Sequence, residues 1–468
     1  MSQDEGQKLG LSPRRIAGFA CNQGFVFFLF YTGLNRSFSV GSFVVERADL
    51  LATLLCMVVG FVTLRIIAER GRELMRSRPA CLLYALMLSA GSLIPYLGEG
   101  SSFSWLITEG ALVGFPFAFL LSAWGNAFGN VSTKTSVPEV FLGSLFGALF
   151  GLIISVLPFS HADLAFRILP FVSAAALMVH SASGFYPSSA QSIDEQSSGT
   201  AALLSLKIIA GTALFGMAAG LMETYNTSPG TPAMSTYVVA FILFIAFALG
   251  TLSILLSDGF GKGAALNKAY RLALFILLSG YLLVPAPLFT DSIVSGKAIV
   301  LAGYLGLTAV LISLFLVLAN ITGSSTSMSF SRGFAALFGG ELAGVLFANI
   351  LNTTQFDSET PYIVVVIAGA LVLFSYIFLF TERDFKSLSE IVIDNDSFED
   401  RCKILAEKYG LSNRETEILP FVLKGRTSER ISQELFISKS TVDTHIKRIY
   451  SKSHVHNRQE LIDLSENA

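Results

Sequence analysis

The residues best suited to do chemistry lie near the C-terminus, in Ser438-Lys-Ser-Thr-Val-Asp-Thr-His-Ile-Lys-Arg-Ile-Tyr-Ser-Lys452. At 100° per residue, Val442, Ile446 and Ile449 share one helix face, and Ser440, Thr444, Lys447 and Ser451 share the opposite arc. Asp443 and Arg448 flank that arc. One face can dock on a small core. The other offers hydroxyls and a cation, which suit phosphates and base edges in a DNA major groove. Flanking elements must hold such a helix. Ser412-Asn-Arg-Glu415 is a capping box that opens a helix running to about Val422, and Lys424-Gly425-Arg426 reads as a turn. Thr427 begins a second helix with Ile431 and Leu435 inward. Phe436-Ile437-Ser438 is a tight turn, with Ser438 capping the helix of interest. Asn457-Arg458 leads into a fourth helix carrying Leu461, Ile462 and Leu464. Two short helices across a tight turn, the second with a polar outer face, make a helix-turn-helix.

These residues resemble the LuxR/GerE family of DNA-binding domains. The match runs through Leu411-Ser-x-Arg414-Glu415-x-Glu417-Ile418-Leu419, Gly425-x-Thr427, Ile431, Leu435 and Ile437-Ser438-x-x-Thr441-Val442. It continues through His445-Ile446-x-x-Ile449-Tyr450-x-Lys452 and Val455-x-Asn457-Arg458. The resemblance implies that the third helix enters the major groove of double-stranded DNA and that the fourth mediates homodimerisation. Carried over by position, Lys447 and Thr444 approach bases. Lys439, Ser440, Thr441 and Lys452 hold phosphates, and Arg448 does either. Three positions depart from the family. Asp443 stands where a cation is usual, Ser432 where alanine is common, and Ser453-His454 where Leu-Gly is usual. From Lys408 to Asp463 ten cations and seven anions leave a modest excess, and the face Ser440–Thr444–Lys447–Ser451 is only mildly cationic with Asp443 beside it, so non-specific phosphate attraction should be weaker than for a strongly basic reader and its salt dependence shallower. Ahead of this domain, Phe398, Cys402, Leu405, Ala406 and Tyr409 follow a helical period, with Ser397 as cap and Gly410 as stop. That helix is expected to pack on the domain after it. A signalling helix joining membrane to tail is the other reading.

The rest of the chain is built for a bilayer. Of 468 residues, 52% are hydrophobic and only 14% charged, against about 25% charged in soluble proteins. Twelve apolar stretches are long enough to span, at about 16–35, 50–67, 80–98, 103–124, 140–157, 164–185, 203–222, 237–256, 272–290, 298–320, 334–351 and 362–380. The polar break 186–200 divides them six and six. With the N-terminus inside, inner loops hold Lys8, Arg14, Arg15, Arg65, Arg70, Arg72, Arg76, Arg78, Lys134, Lys207, Lys262, Lys268, Arg271, Arg332, Arg383 and Lys386. Outer loops hold only Arg36, Arg47, Arg167 and Lys297, which predicts both termini on the cytoplasmic side of a bacterial inner membrane.

The six-plus-six pattern resembles the major facilitator architecture. Glu69-Arg-Gly-Arg72 and Asp258-Gly-Phe-Gly-Lys262 follow the second and eighth stretches and echo that family's loop. The first lacks the usual aspartate and the second is out of spacing. The expected fold is therefore all-α: 1–15 a cytoplasmic N-terminus, 16–382 a twelve-span membrane domain with halves 16–186 and 203–382, 383–408 a cytoplasmic linker with a helix, and 409–468 the helix-turn-helix domain.

Polar side chains inside spans are costly and mark sites. The candidates are Asn22, Gln23, Glu109, Asn126, Glu223, Tyr225, Asn226, Glu341 and Asn349. In facilitators spans 1, 4, 7 and 10 line the cavity, so Gln23, Glu109, Trp124 and Tyr225 are expected there, with Glu341 as a further ligand-sensing candidate. Glu341 sits among Gly339, Gly340 and Gly344, which permit close packing against a partner such as Arg332 or Arg271. Glu109 and Glu223 also fit snorkelling at span ends, and Asn22 and Asn349 fit hydrogen bonds between helices. No Ser/His/Asp set, phosphate-cradling loop, CxxC or Cys/His cluster is present, so no enzyme, cofactor or metal is expected. The leading expectation is a membrane-embedded one-component transcriptional regulator, with DNA, lipid and an unknown small molecule as partners. A facilitator-like transporter with a regulatory or partner-binding tail is the alternative.

Overall fold

Each of the twelve apolar stretches contributes a helix among the described residues of the computed structural model, which are 10–31, 36–41, 43–67, 77–94, 102–180, 195–225, 234–258, 264–285, 295–322, 325–353, 360–379, 381, 384, 398, 401–402, 404–435 and 437–466. They are α1 Pro13–Tyr31, α2 Ala48–Ile66, α3 Arg78–Gly91, α4 Phe103–Gly129, α5 Thr133–Val156 and α6 Phe159–His180. The second six are α7 Glu195–Tyr225, α8 Met234–Asp258, α9 Ala264–Leu283, α10 Gly296–Thr322, α11 Thr326–Thr353 and α12 Thr360–Phe374, the last ending in a π turn, Ser375–Leu379. Among the described residues, nine of these helices are long and apolar enough to cross a membrane, with Ile363–Leu379 a shorter apolar one. The chain is a multi-pass membrane protein. Several helices overrun their apolar windows: α5 opens at Thr133 and α11 at Thr326. Capping groups set such ends, as where the Ser132 hydroxyl accepts from the Lys134 amide at 3.3 Å, and bilayer thickness does not.

One element departs from the all-α expectation. Between α1 and α2 lies a β-hairpin, β1 Phe38–Val40 against β2 Phe43–Val45, with Phe38 opposite Val45 and Ser39 opposite Val44. Gly41 turns it with φ 64°, a conformation cheap only for glycine. The hairpin packs on α11, so its partner lies in the other half of the bundle.

Helix pairing repeats with an offset of six. In the first half α1 packs on α5 and α2 on α4; in the second α7 packs on α11 and α8 on α10. The halves meet through α2 on α11 and α5 on α8, which the same offset exchanges. Glycines allow the tightest pair, α7 with α11. A Cβ at Gly340 would stand 2.0 Å from the Ala213 carbonyl oxygen, and one at Gly344 2.2 Å from that of Met217. Gly339 faces the other way, toward Val58 in α2.

The chain divides into two compact units, Met1–Leu388 and Ser389–Ala468. The second is built from α13 Asn413–Leu423, α14 Ser428–Leu435, α15 Lys439–Ser453 and α16 Arg458–Glu466. Their core holds Ile418, Leu419, Val422, Ile431, Val442, Ile446, Ile449 and Leu461. Helical backbone at 404–408 brings Leu405 into this core beside Cys402, with Phe398 and Tyr409 packed against it. The amphipathic helix ahead of the domain thus packs on that domain. Gly410 stops it at φ 58°.

Candidate DNA-reading helix and membrane cavity

The capping box that opens α13 is complete: the Glu415 carboxylate accepts from the Ser412 amide at 2.7 Å, and the Ser412 hydroxyl accepts from the Glu415 amide at 3.4 Å. Ser438 caps α15, its hydroxyl accepting from the Thr441 amide at 3.1 Å. These local bonds set where α15 begins, and its apolar stripe sets which face points out. Val442, Ile446 and Ile449 are buried, while Lys439, Ser440, Thr441, Thr444, Lys447, Arg448 and Ser451 are exposed and Asp443 half-buried. The hydroxyls of Ser440 and Thr441 lie 2.9 and 2.7 Å from that of Ser438, a cluster of short polar groups at the helix start. Such groups, with free amides at a helix N-terminus, fit a phosphate.

Two of the expected cations are engaged. Lys439 Nζ lies 3.3 Å from the exposed Glu429 carboxylate. Lys452 Nζ donates to the buried Glu415 carboxylate at 2.7 Å and to the Gly410 carbonyl at 3.0 Å. Lys452 therefore clamps the end of α15 to the start of α13. Burial alone would raise the Glu415 pKa, but bonds from Lys452 and the Ser412 amide outweigh it and hold it down at about 2. Arg458 acts similarly, donating to the Gly425 carbonyl at 3.0 Å and the Arg426 carbonyl at 2.6 Å, which ties α16 to the α13–α14 turn. His454 ends α15 with φ 56° at the position where the family usually has glycine.

In the membrane unit the five expected ligand-sensing residues separate. Gln23 and Glu341 come together, lining one small cavity with Phe27, Phe117, Tyr304 and Phe338. Glu109 lies away from it, its carboxylate holding Arg36 at 2.5 and 2.6 Å. It is an ion-paired group and not a snorkelling one. Trp124 is a core residue: its ring packs on Phe19 and Phe128, and its indole donates to Ser173 at 2.9 Å. Its bulk fills space that the sequence left open for a ligand. The side chain of Tyr225, like Asn226, lies outside the described residues. Glu341 meets neither Arg332, which is exposed, nor Arg271; its carboxylate accepts from Tyr304 Oη at 3.1 Å.

Long-range pairs tie the two halves of the bundle together on both sides of these residues. At the hairpin end Arg47 is buried and donates to Glu223 of the other half at 2.7 Å. Asn349 takes the Glu46 amide at 2.7 Å and returns a bond to its carbonyl at 3.1 Å. At the opposite end Ser122 and Ser331 hydroxyls lie 3.3 Å apart, and Gly125 seats against the Phe330 ring. Within the first half the buried Glu139 is held by Arg15 at 2.6 and 2.8 Å. Of these groups, Tyr304 and Arg47 carried the weakest sequence signal. A tyrosine inside an apolar stretch and one of only four outer cations could have pointed to them.

Comparison with known proteins bears on the family of the tail and the fold of the membrane unit. Residues 410–465 match the GerE family, described as bacterial regulatory proteins of the luxR family. The transcriptional regulator MalT of Vibrio campbellii is 39% identical over 57 residues, which is 12% of this chain and 6% of MalT. The response regulatory protein YgeK of Escherichia coli is 38% identical over 71 residues, 14% of this chain and 48% of that protein. The chain thus spans less than half the length of these relatives, through its tail alone. Over 81% of this chain and 96% of the other, the structure resembles the major facilitator superfamily proton:xylose symporter XylE, with a TM-score of 0.52 at 11% identity. That likeness concerns fold. The tail is accordingly a DNA-binding domain of the luxR family of bacterial regulatory proteins, joined in one chain to a membrane unit with the major facilitator fold.

Proposed function

We propose that the protein is a one-component transcriptional regulator embedded in the bacterial cytoplasmic membrane. The twelve helices cross the membrane with both termini in the cytoplasm, and the bundle senses a small molecule. A shift between bundle conformations, limited by the ligand's differential affinity for them, alters promoter binding by the tail. The tail binds as a homodimer on two half-sites, since one small domain supplies little affinity. No catalytic step is assigned to any residue. The observation that carries this reading is the exposed Ser440–Thr444–Lys447 face of α15, on a chain whose remainder is a membrane bundle.

The test is footprinting of the flanking promoters with full-length protein in membranes. Lys447→Ala and Thr444→Ala should each weaken the specific footprint by about 1–3 kcal/mol, without changing protein abundance, because both side chains are exposed. A footprint unchanged in both variants would remove the groove assignment. Ligand flux through proteoliposomes, with no promoter response to that ligand, would overturn the sensor assignment.

A further inference from the structure

The buried carboxylates of the membrane unit differ in one respect. Glu109 is held by Arg36, Glu139 by Arg15 and Glu223 by Arg47, each at 2.5–2.7 Å. Glu223 is half-buried, while Glu341, like Glu109 and Glu139, is buried, at 3% exposure, and among the described residues its polar partner is a neutral hydroxyl, Tyr304 Oη. Arg47, just after the hairpin, is paired with Glu223. An ionised carboxylate out of water without a counter-charge is costly, so such a group keeps a proton unless a hydrogen-bonding cation brought beside it repays part of the cost.

The surroundings fit such a cation when it carries hydrocarbon. Glu341 opens on a cavity of about 30 Å³ whose walls include Phe27, Phe117, Phe334 and Phe338, room for a water or two as it stands. Tyr304 lines this cavity and also a second one, of about 130 Å³, with Tyr237, Tyr281 and Leu301 in its wall. Aromatic faces attract cations and accept apolar groups.

We propose that this site takes a small organic amine, its ammonium group donating to the Glu341 carboxylate and Tyr304 Oη and its apolar body lying among the aromatic rings. The inference rests on the sensor reading above and names its ligand class.

The experiment titrates purified full-length protein in detergent with benzylammonium, benzyl alcohol and benzoate, by calorimetry, and reads promoter occupancy in parallel. Benzylammonium should bind at least about tenfold more tightly than the other two, the gain of one charge-assisted contact. Glu341→Gln should remove that advantage and leave benzyl alcohol binding unmoved, which shows that the variant is folded. Tyr304→Phe should weaken the amine by a smaller factor. Equal binding of benzyl alcohol or benzoate, full amine affinity in Glu341→Gln, or no amine binding to the unaltered protein would each overturn the site. Amine binding that leaves promoter occupancy unchanged would instead overturn the sensor reading and keep the site.

Discussion

The two units of this chain place their polar groups in opposite ways. In the tail the apolar side chains of α13 to α16 turn inward, and the reading face of α15 carries its hydroxyls and cations to the surface. In the membrane unit large apolar side chains lie on the surface and several charges lie inside: Arg47 is 2% exposed, Glu139 fully buried and Glu109 5% exposed. Water is the outer solvent for one and lipid for the other, so the same rule, that a polar group needs a partner, gives inverse layouts. In the tail, function is read from what is left exposed. In the membrane unit it is read from what is left unpaired.

The comparison can be broken at its charged seam. Arg47→Ala removes the 2.7 Å bond to Glu223 that joins the two halves and leaves a cavity where the buried arginine stood, which should cost about 3 kcal/mol, seen as a lower thermal midpoint of the membrane unit in detergent. Adding Glu223→Ala should restore part of that loss. Should the losses in Arg47→Ala and Glu223→Ala measured singly add up to the loss in the double variant, the pair contributes nothing beyond its separate side chains.

A steric break tests the glycine seam. Gly344→Leu drives a side chain into the Met217 carbonyl of α7 and should cost about 3 kcal/mol or more. The fraction of monodisperse protein should fall, while tail segments freed by proteolysis keep their DNA binding.

A third variant bears on the tail's buried ion pair. Lys452→Ala should cost about 2 kcal/mol of tail stability at neutral pH, read from urea midpoints by fluorotyrosine NMR at Tyr409 and Tyr450. Glu415 has its folded pKa held at about 2, below the ordinary 4.5 of a free glutamate. Its contribution is therefore complete above pH 4.5 and fades as pH falls toward 2. Lys452→Ala should flatten that acid dependence. The smallest effect is expected at His454, which holds φ 56°. His454→Gly should stabilise the tail by about 1 kcal/mol, and a loss of stability there would mean that the imidazole makes contacts worth more than the strain.

Legibility in the sequence follows contact distance along the chain. Caps at Ser412 and Ser438, the stop at Gly410 and the stripe Val442–Ile446–Ile449 all bond within a few residues, and each stands where local pattern placed it. Apolar run length likewise gave the twelve helices. Ser331 against Ser122 and Arg47 against Glu223, 209 and 176 residues apart, had no local trace. Trp124 was misplaced for the same reason: an aromatic in a span reads alike whether it lines a cavity or fills one.

The sequence alone determined that α15 turns a short, mildly cationic face outward, because helix period and capping chemistry are local and the apolar residues leave that face one orientation. It also determined that the remainder belongs in lipid, from composition and run length. Tertiary structure decided the fate of each buried charge. Which of Glu109, Glu223 and Glu341 met an arginine depended on which helices became neighbours, and no residue encodes its neighbour by itself. That assembly gave Glu109 and Glu223 an arginine each and left Glu341 beside a tyrosine and a small cavity.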